Sequence, residues 1–197
     1  MKTFVMIPTY NEKENIKILI DKLLGLKIKD LHVVVVDDNS PDGTSEIVKK
    51  ISRKNKNVHL LLRTKNKGRG AAGKDGFIYC LKNKADIVVE MDADMSHDPK
   101  YIPVMLKELE SADLVLGSRR VKGSKEVGRS VLRRFVTLGA NLYIRIILGL
   151  KVKDCNSGFR CFKRKILEKI AENLESKGPS IVQEVLFKAH LKGFKIK

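Results

Sequence analysis

The stretch "LHVVVVDDNSPDGTSEIVKK", residues 31–50, contains the pattern that decides the fold. It begins with an apolar run that lacks polar alternation, which is typical of a strand buried on both faces of a sheet. A Ser-Pro-Asp-Gly turn signal follows, and the segment from Asp42 onward indicates a helix. The stretch therefore predicts a strand followed by a helix, the unit from which α/β folds are built.

The same unit recurs through the first half of the chain. Residues 3–8, "TFVMIP", predict a strand, and Asn11 is predicted to cap the helix that follows. Further strands are predicted at 57–63, 85–91 and 113–118, with helices near 70–83 and 99–110. We therefore predict an α/β fold with a mostly parallel central sheet and helices on both faces.

Length and composition favour one folded domain over residues 1–197. A chain of 197 residues with 43% hydrophobic and 32% charged residues can bury one core. The three cysteines are odd in number and form no CxxC pair, which excludes a zinc ribbon and a disulfide framework and favours a reduced, intracellular protein. We also expect no signal peptide and no membrane-spanning segment.

Polar residues follow the predicted strands where ligands bind in such sheets, at the carboxyl ends. They are Pro8, Tyr10, Asn11 and Glu12 after the first strand, Asp37, Asp38 and Asn39 after the second, Asp92, Asp94 and Ser96 after the fourth, and Ser118, Arg119 and Arg120 after the fifth. One edge of the sheet is therefore the expected site.

The segment "EMDADMSHDP", residues 90–99, places two carboxylates one residue apart after a buried strand. If the extended conformation continues, Asp92 and Asp94 point to one spot, because strand side chains alternate. Carboxylates about 4 to 5 Å apart repel by roughly 3 to 4 kcal/mol at an effective dielectric of about 20, so a cation is expected between them. Mg²⁺ or Mn²⁺, completed by water and substrate phosphates, fits this pair. The alternative is that Asp98 and its neighbours cap a helix at Pro99, and that Asp92 and Asp94 are solvated.

Two further motifs each have two readings. Asp37 and Asp38 either bind the base or ribose of a nucleotide or form an Asx-turn with the next residues; both roles stay open for Asp37, and the ligand role is favoured for Asp38. "GRGAAG", residues 68–73, matches a dinucleotide fingerprint but follows the third strand after a gap. A basic loop that meets a diphosphate at a helix N-terminus is the favoured reading.

A polar stripe marks the apolar segment at 128–150. Arg133, Thr137, Asn141 and Arg145 recur every four residues, which predicts one polar face on a helix. This helix either packs on the core with its stripe exposed or lies against lipid with its arginines at phosphate head groups.

Seven motifs in this order resemble family 2 glycosyltransferases of the GT-A fold, in particular the dolichyl-phosphate mannose synthases. They are "IPTYNEKENI", "VVVVDDNSPDGT", "RTKNKGRGAAGKDGF", "MDADMSHDP", "VLGSRR", "RRFVTLGAN" and "DCNSGFRCF". The resemblance implies inverting transfer of mannose from GDP-mannose to a polyprenyl (dolichyl) phosphate, with Mg²⁺ or Mn²⁺. It also implies peripheral contact with the cytoplasmic side of a membrane, and a membrane-anchoring partner is a further candidate. The nucleotide-binding part would cover about 1–120 and the acceptor- and membrane-facing part about 120–197.

The resemblance also implies roles for single residues. Those matching the nucleotide-sugar pocket are Pro8, Tyr10, Glu12, Asp38, Asp92, Ala93 and Lys177. Asp92 and Asp94 match the metal-binding DxD motif, with Ser96 as a third candidate ligand at a position where some members carry Gln. Arg119, Arg133 and Thr137 match acceptor-phosphate positions, and Asp94, Arg119, Arg133 and Glu184 are the candidate catalytic residues.

Two alternatives remain from sequence. A UDP-sugar such as UDP-glucose uses the same scaffold. The net charge of +17 also permits a nucleic-acid-binding module, but the aromatic content is 6%, Trp is absent and no nucleic-acid-binding motif occurs. We therefore expect no nucleic-acid partner.

Overall fold

A single, mostly parallel sheet forms the centre of the molecule in the computed structural model, which describes residues 1–118, 139, 149, 152 and 154–197. Its strands are β1 (Thr3–Thr9), β2 (Leu31–Asp37), β3 (Val58–Leu62), β4 (Ile87–Glu90), β5 (Leu114–Leu116) and β6 (Arg160–Lys163). Their order is β3-β2-β1-β4-β6-β5. The β1–β4 and β1–β2–β3 contacts are parallel, whereas β6 is antiparallel to both of its neighbours. The predicted mostly parallel α/β sheet is confirmed.

Helices connect and cover the strands. They are α1 (Lys13–Gly25), α2 (Thr44–Lys54), α3 (Arg69–Lys82), α4 (Ile102–Glu108), α5 (Arg164–Ile170) and α6 (Ile181–Leu191). Short 3₁₀ turns, Pro99–Tyr101 and Ala171–Asn173, precede α4 and follow α5. The helices predicted near 70–83 and 99–110 are thus present, the second beginning as a 3₁₀ turn.

The predicted cap of α1 is wrong. Glu12 occupies the N-cap position, and its side chain makes no capping hydrogen bond. Asn11 lies one residue earlier with φ of 60°, in the left-handed region that Asn tolerates, and its amide donates to Ser40 Oγ at 3.0 Å. The turn after β1 is therefore tied to the turn after β2, and this tertiary contact replaces a local cap.

Both faces of the sheet are buried, as an apolar strand without alternation requires. Val34 and Val36 of β2 pack in one core with Phe77 of α3, and Val33 and Val35 pack in the other with residues of α1 and α2. Because successive strand residues point to opposite faces, four consecutive valines supply both cores.

Strand β6 was not predicted from the sequence. It has four residues, follows the turn-rich "DCNSG", and inserts between β4 and β5, which are distant from it along the chain. Such pairing depends on tertiary structure rather than on local pattern.

The strand order reverses at β1. The chain passes from β1 to β2 and β3 on one side and then crosses to β4 on the other side of β1. The register pairs Thr9 with Asp37 and Met6 with Glu90, so β1, β2 and β4 end at one edge. This reversal is where open α/β sheets form their ligand crevice.

Within the residues that are described, no helix is both long and apolar enough to cross a lipid bilayer.

Candidate functional site

A cavity of about 630 Å³ opens at this edge of the sheet. Its volume is in the range of small-molecule sites. It is lined by Pro8, Thr9, Tyr10, Glu12, Asp38, Lys67, Gly68, Arg69, Ala72, Asp92, Ala93 and Asp94. The structure thus brings together seven of the residues predicted from sequence: Pro8, Tyr10, Glu12, Asp38, Asp92, Ala93 and Asp94. Ser96, Lys177 and Glu184 are not among the lining residues.

The predicted acceptor residues Arg119, Arg133 and Thr137 lie outside the described residues, as do Arg120 and the other polar positions of the 128–150 stripe. Their roles stay predictions.

Asp38 is held in place on the cavity wall by two partners. One carboxylate oxygen pairs with Arg63 Nη1, and the other accepts the Gly68 amide at 2.7 Å. Arg63 is itself buried, and its Nε donates to Asp75 Oδ2 of α3 at 2.7 Å. Since a carboxylate has about four acceptor positions, Asp38 can still accept a hydrogen bond from a ligand.

Asp37 has the local role that the sequence left open. Its fully buried carboxylate accepts hydrogen bonds from the Ser40 amide at 2.9 Å, from Ser40 Oγ at 2.7 Å and from Thr9 Oγ1 at 2.8 Å. Asp37 therefore closes the turn after β2 and is absent from the cavity lining.

Two main-chain amides at the start of α3 already have a hydrogen-bond acceptor within the protein. The Gly70 amide donates to the Lys177 carbonyl at 2.8 Å, and the Ala71 amide approaches the same oxygen at 3.4 Å. A Cβ on Gly70 would lie 2.1 Å from the Ser176 carbonyl oxygen, so the 175–178 segment packs directly on this glycine. The basic loop does reach the cavity, but through Lys67, Gly68 and Arg69. The amides of Gly70 and Ala71 are already occupied, contrary to the expectation of a diphosphate at this helix N-terminus.

Asp92 is enclosed by three neighbours. Its Oδ1 accepts a hydrogen bond from Arg69 Nη2 at 3.2 Å, and its amide donates to His97 Nδ1 at 3.2 Å. The His97 ring stacks on Phe159 with centroids 5.2 Å apart. A Cβ on Gly158 would lie 2.7 Å from Asp92 Oδ2, so any larger residue there would displace this carboxylate. Asp92 is thus not merely solvated.

Asp94 lines the same cavity although the strand has ended. β4 stops at Glu90, and the chain then bends, with Met95 at φ of 62°. The extended conformation expected from the sequence is absent, yet both Asp92 and Asp94 line the cavity. Burial would raise the pKa of Asp94, but hydrogen bonds from Ser96 outweigh it and leave the pKa below its ordinary value. One of these hydrogen bonds runs from the Ser96 amide to Asp94 Oδ1, at 3.0 Å.

Asp98 also acts locally, in the way the alternative reading expected. Its Oδ1 accepts the Lys100 amide at 3.1 Å and caps the turn at Pro99.

A buried chain of charges lies behind Asp92. Glu90 is fully buried and forms ion pairs with Arg160, which is also fully buried, and with Arg69 Nη2 at 2.8 Å. Burial opposes ionisation of Glu90, but the two guanidinium groups outweigh it and lower its pKa. Four alternating charges thus run from Arg160 through Glu90 and Arg69 to Asp92.

Glu184 holds the 175–178 segment rather than facing the cavity. Its two oxygens accept the amides of Glu175 and Ser176, each at 2.9 Å, and Lys188 Nζ lies 2.8 Å from Oε1. Burial would raise the pKa of Glu184, but these contacts lower it to about 2. The main-chain carbonyl of Lys177 accepts the Gly70 amide of α3, and Lys177 is exposed to solvent.

The acid pair fits a hard divalent cation. In the described part of the chain, no three His, Cys, Asp or Glu side chains converge on one point, so an all-protein metal cage is not built there. Mg²⁺ and Mn²⁺ need no such cage, since one or two carboxylates, waters and substrate phosphates complete their coordination. Asp92 and Asp94, on a cavity with room for a ligand, supply that set.

Sequence reasoning did not assign Arg63 and Arg69 to the site. Both belong to the motif "RTKNKGRGAAGKDGF", which indicated a basic loop. Their ion-pair partners Asp38, Asp75, Glu90 and Asp92 are distant in sequence and follow or belong to other elements, so spacing alone could not identify them.

Comparison with known sequences gives consistent matches. A sequence model described as Glycosyl transferase family 2 matches residues 4–171. The chain is 38% identical over 197 residues to an undecaprenyl-phosphate mannosyltransferase of Micrococcus luteus, with 100% of this chain and 81% of that protein aligned. It is 35% identical to a polyprenol monophosphomannose synthase of Mycolicibacterium smegmatis, over 99% of this chain and 74% of the relative. A dolichol-phosphate mannosyltransferase of Pyrococcus furiosus is 36% identical, and there the chain spans 53% of the relative.

Solved structures share the fold. Glucosyl-3-phosphoglycerate synthase from Mycobacterium tuberculosis, in complex with Mn²⁺, uridine-diphosphate and phosphoglyceric acid, superposes with a TM-score of 0.68 at 23% identity. The alignment covers 99% of this chain and 66% of that one. The complex of the same enzyme with uridine-diphosphate gives a TM-score of 0.69 at 22% identity, over 97% and 66% of the two chains.

Proposed function

This chain belongs to glycosyl transferase family 2, as a glycosyltransferase with the GT-A fold, and on that premise we propose that it transfers mannose from GDP-mannose to a polyprenyl phosphate. Transfer would occur with inversion, in the presence of Mg²⁺ or Mn²⁺, while the protein contacts the cytoplasmic side of a membrane peripherally. The names of three relatives at 35–38% identity support mannose transfer to a prenyl phosphate.

The observation that carries the proposal is the composition of the cavity walls. Asp92 and Asp94 lie on one cavity with Lys67 and Arg69 of the basic loop. Acids that suit a divalent cation, beside bases that suit phosphate oxygens, match the charge pattern of a nucleoside diphosphate with its metal ion.

Other residues that line the cavity suit the nucleoside. Asp38 is anchored by Arg63 and Gly68 and can still accept hydrogen bonds, as acidic residues do from ribose hydroxyls or bases at this edge of nucleotide-binding sheets. Tyr10 is 57% exposed at the cavity, which leaves its ring face available for stacking on a base. Pro8, Glu12 and Ala93 complete this proposed donor pocket.

Asp92 and Asp94 would hold the cation, with Ser96 acting on Asp94. A bound Mg²⁺ or Mn²⁺ supplies Lewis-acid stabilisation of charge on the departing diphosphate. The Mn²⁺ bound in a solved neighbour of this fold is consistent with a divalent ion, without deciding between the two metals.

The acceptor would need no strong general base. A phosphate monoester has a second pKa of about 6, so it arrives largely ionised. One of its oxygens would attack the anomeric carbon while the bond from that carbon to the donor diphosphate breaks and its electrons pass to the diphosphate oxygen. Arg119, Arg133 and Thr137 are proposed to position the acceptor phosphate, since guanidinium groups bind such oxyanions in bidentate fashion.

Glu184 and Lys177 are proposed to act at the sugar and diphosphate side. The support is indirect, because Glu184 fixes the 175–178 segment and that segment packs on the start of α3, next to the cavity.

The test is an assay with radiolabelled GDP-mannose and a short polyprenyl phosphate, with and without EDTA. We expect labelled lipid product that EDTA abolishes, and at least about a hundredfold loss of turnover in Asp94→Ala. Metal-independent turnover or an unimpaired Asp94→Ala variant would contradict the metal role.

The base is tested separately by thermal shift with GDP or UDP in the presence of Mn²⁺. We expect GDP to raise the melting temperature more than UDP does, because GDP is the nucleotide of the proposed donor and the tighter ligand stabilises the folded state more. A larger shift with UDP would favour the UDP-sugar alternative.

A further inference from the structure

The Arg69 guanidinium lies where a cation bound to Asp92 would compete with it. Arg69 is the first residue of α3, and its side chain crosses to the end of β4. Its Nη2 is 3.2 Å from Asp92 Oδ1 and 2.8 Å from Glu90 Oε1. Arg69 also lines the cavity with Asp92 and Asp94.

Of the two terminal nitrogens of Arg69, Nη2 contacts both carboxylates, and of these two acids only Asp92 lines the cavity. Nη1 is buried, and none of the described residues accepts from it. Arg69 therefore bridges the buried Glu90 and the carboxylate that is also a proposed metal ligand.

The charge balance points the same way. Glu90 and Arg160 are both fully buried and neutralise each other one to one. Arg69 is the second cation of the chain of charges, and Asp92 is the second anion. Removing the charge of Arg69 would leave the buried pair balanced and Asp92 without its guanidinium.

We propose that Arg69 is a positioning residue that holds Asp92 in place and keeps the affinity of the acid pair for a free divalent cation low, so that the cation binds tightly only together with the diphosphate. The inference rests on the proposed function, because it takes Asp92 and Asp94 as the metal ligands. The diphosphate brings negative charge that offsets Arg69, so the two ligands favour each other's binding. By linkage, the factor by which the cation tightens GDP binding must equal the factor by which GDP tightens cation binding.

The test is direct titration of Mn²⁺, followed by electron paramagnetic resonance of the free ion, into the full chain without nucleotide and without turnover. We expect Arg69→Met to bind Mn²⁺ at least about tenfold more tightly than the wild type, because a neighbouring like charge has been removed. Arg69→Lys keeps the charge and should keep the affinity low. Lys67→Met is the matched control, since Lys67 lines the same cavity but makes no contact with Asp92 in the described part of the chain; its effect should stay within about twofold.

A second readout is the coupling factor between the two ligands. This is the ratio of the Mn²⁺ dissociation constants without and with saturating GDP, corrected for Mn²⁺ bound by free GDP. We expect this ratio to fall about tenfold or more in Arg69→Met, which a purely structural role would not produce. Circular dichroism melting verifies that each variant is folded.

The outcomes separate the inference from the proposed function. An Mn²⁺ affinity in Arg69→Met that equals or falls below that of the wild type, while Asp94→Asn abolishes binding, overturns the inference alone. If neither the wild type nor Arg69→Met binds Mn²⁺, even with GDP, the proposed metal role of Asp92 and Asp94 fails and the inference fails with it.

Discussion

Asp92 is a side chain whose surroundings are fixed on three sides. Arg69 donates to one oxygen, Gly158 leaves space for the other, and His97 accepts from the main-chain amide. A side chain held this way loses little conformational freedom when substrate and metal bind, which is how binding sites are preorganised. The stacked His97 and Phe159 rings extend this support to the loop before β6.

The space at Gly158 makes a sharp prediction at the residue scale. Gly158→Ala would place a methyl group 2.7 Å from Asp92 Oδ2 as it stands in the structure, so the Asp92 carboxylate must turn away. We expect turnover to fall at least about tenfold, because misplacement by about 1 Å can cost a hundredfold in rate. Initial rates at saturating donor and acceptor measure this effect.

The matched control is Gly25→Ala at the last residue of α1. A Cβ there meets nothing within 4 Å in the described structure, and activity should be unchanged. Equal activity of the two variants would contradict the proposed role of the Asp92 position.

Glu184 makes a prediction about acid stability. Its pKa is lowered from 4.5 to about 2 in the folded state, so it binds a proton more weakly there than in the unfolded chain. The stabilisation it contributes is complete above pH of about 4.5 and is lost as the pH falls toward about 2. Glu184→Gln should therefore be less stable than the wild type at pH 6, and this difference should shrink through the acid range.

Urea unfolding at a series of pH values measures that difference directly. A gap between wild type and Glu184→Gln that stays constant from pH 6 to pH 2 would argue against the assignment, since only an ionised carboxylate makes these contacts at full strength.

At the element scale, β4 and β6 are joined by a buried ion pair as well as by the main chain. Glu90 and Arg160 face each other in the strand register, and Arg160 Nη1 also donates to the Val182 carbonyl of α6 at 3.0 Å. One side chain thus connects two strands and a helix under the floor of the site.

Breaking this pair should destabilise the fold strongly. Arg160→Met leaves Glu90 buried with Arg69 as its remaining cationic partner, and we expect a loss of about 3 to 5 kcal/mol in the free energy of unfolding. The double variant Glu90→Met, Arg160→Met removes both charges and should recover much of that loss. Chemical denaturation at pH 7 tests this. A loss below about 1 kcal/mol in the single variant would contradict it.

The limits of sequence prediction also appear at this scale. The strands β1 to β5 and the acids that follow them could be predicted, because apolar runs and their polar ends are local features. Strand β6, Arg63 and Arg69 could not, since each depends on a partner distant in sequence: β4 and β5 for the strand, Asp38 for Arg63, Glu90 and Asp92 for Arg69. Asn11 was misassigned as a cap for the same reason, because Ser40 is its partner.

At the scale of the whole molecule, the net charge of +17 sets the long-range behaviour. A strongly basic protein is attracted to anionic membrane surfaces, and the attraction falls off within a Debye length. This fits the proposed acceptor, a lipid phosphate at such a surface.

We therefore expect the protein to bind vesicles that contain anionic phospholipid and to be released by salt. Raising the salt from about 0.1 M to about 1 M shortens the Debye length from about 10 Å to about 3 Å and should remove most of the bound protein. Cosedimentation measures this, with vesicles of neutral lipid alone as the control. Salt-insensitive binding, or equal binding to neutral vesicles, would rule out an electrostatic origin.

The Lys177 carbonyl that accepts the Gly70 amide has a consequence for how the molecule can be observed. If the 175–178 segment left α3, the Gly70 proton would lose its acceptor and become free to exchange with solvent deuterium. The rate at which that one amide takes up deuterium would therefore report how often the segment departs, and comparing rates with and without GDP would reveal whether donor binding restrains it.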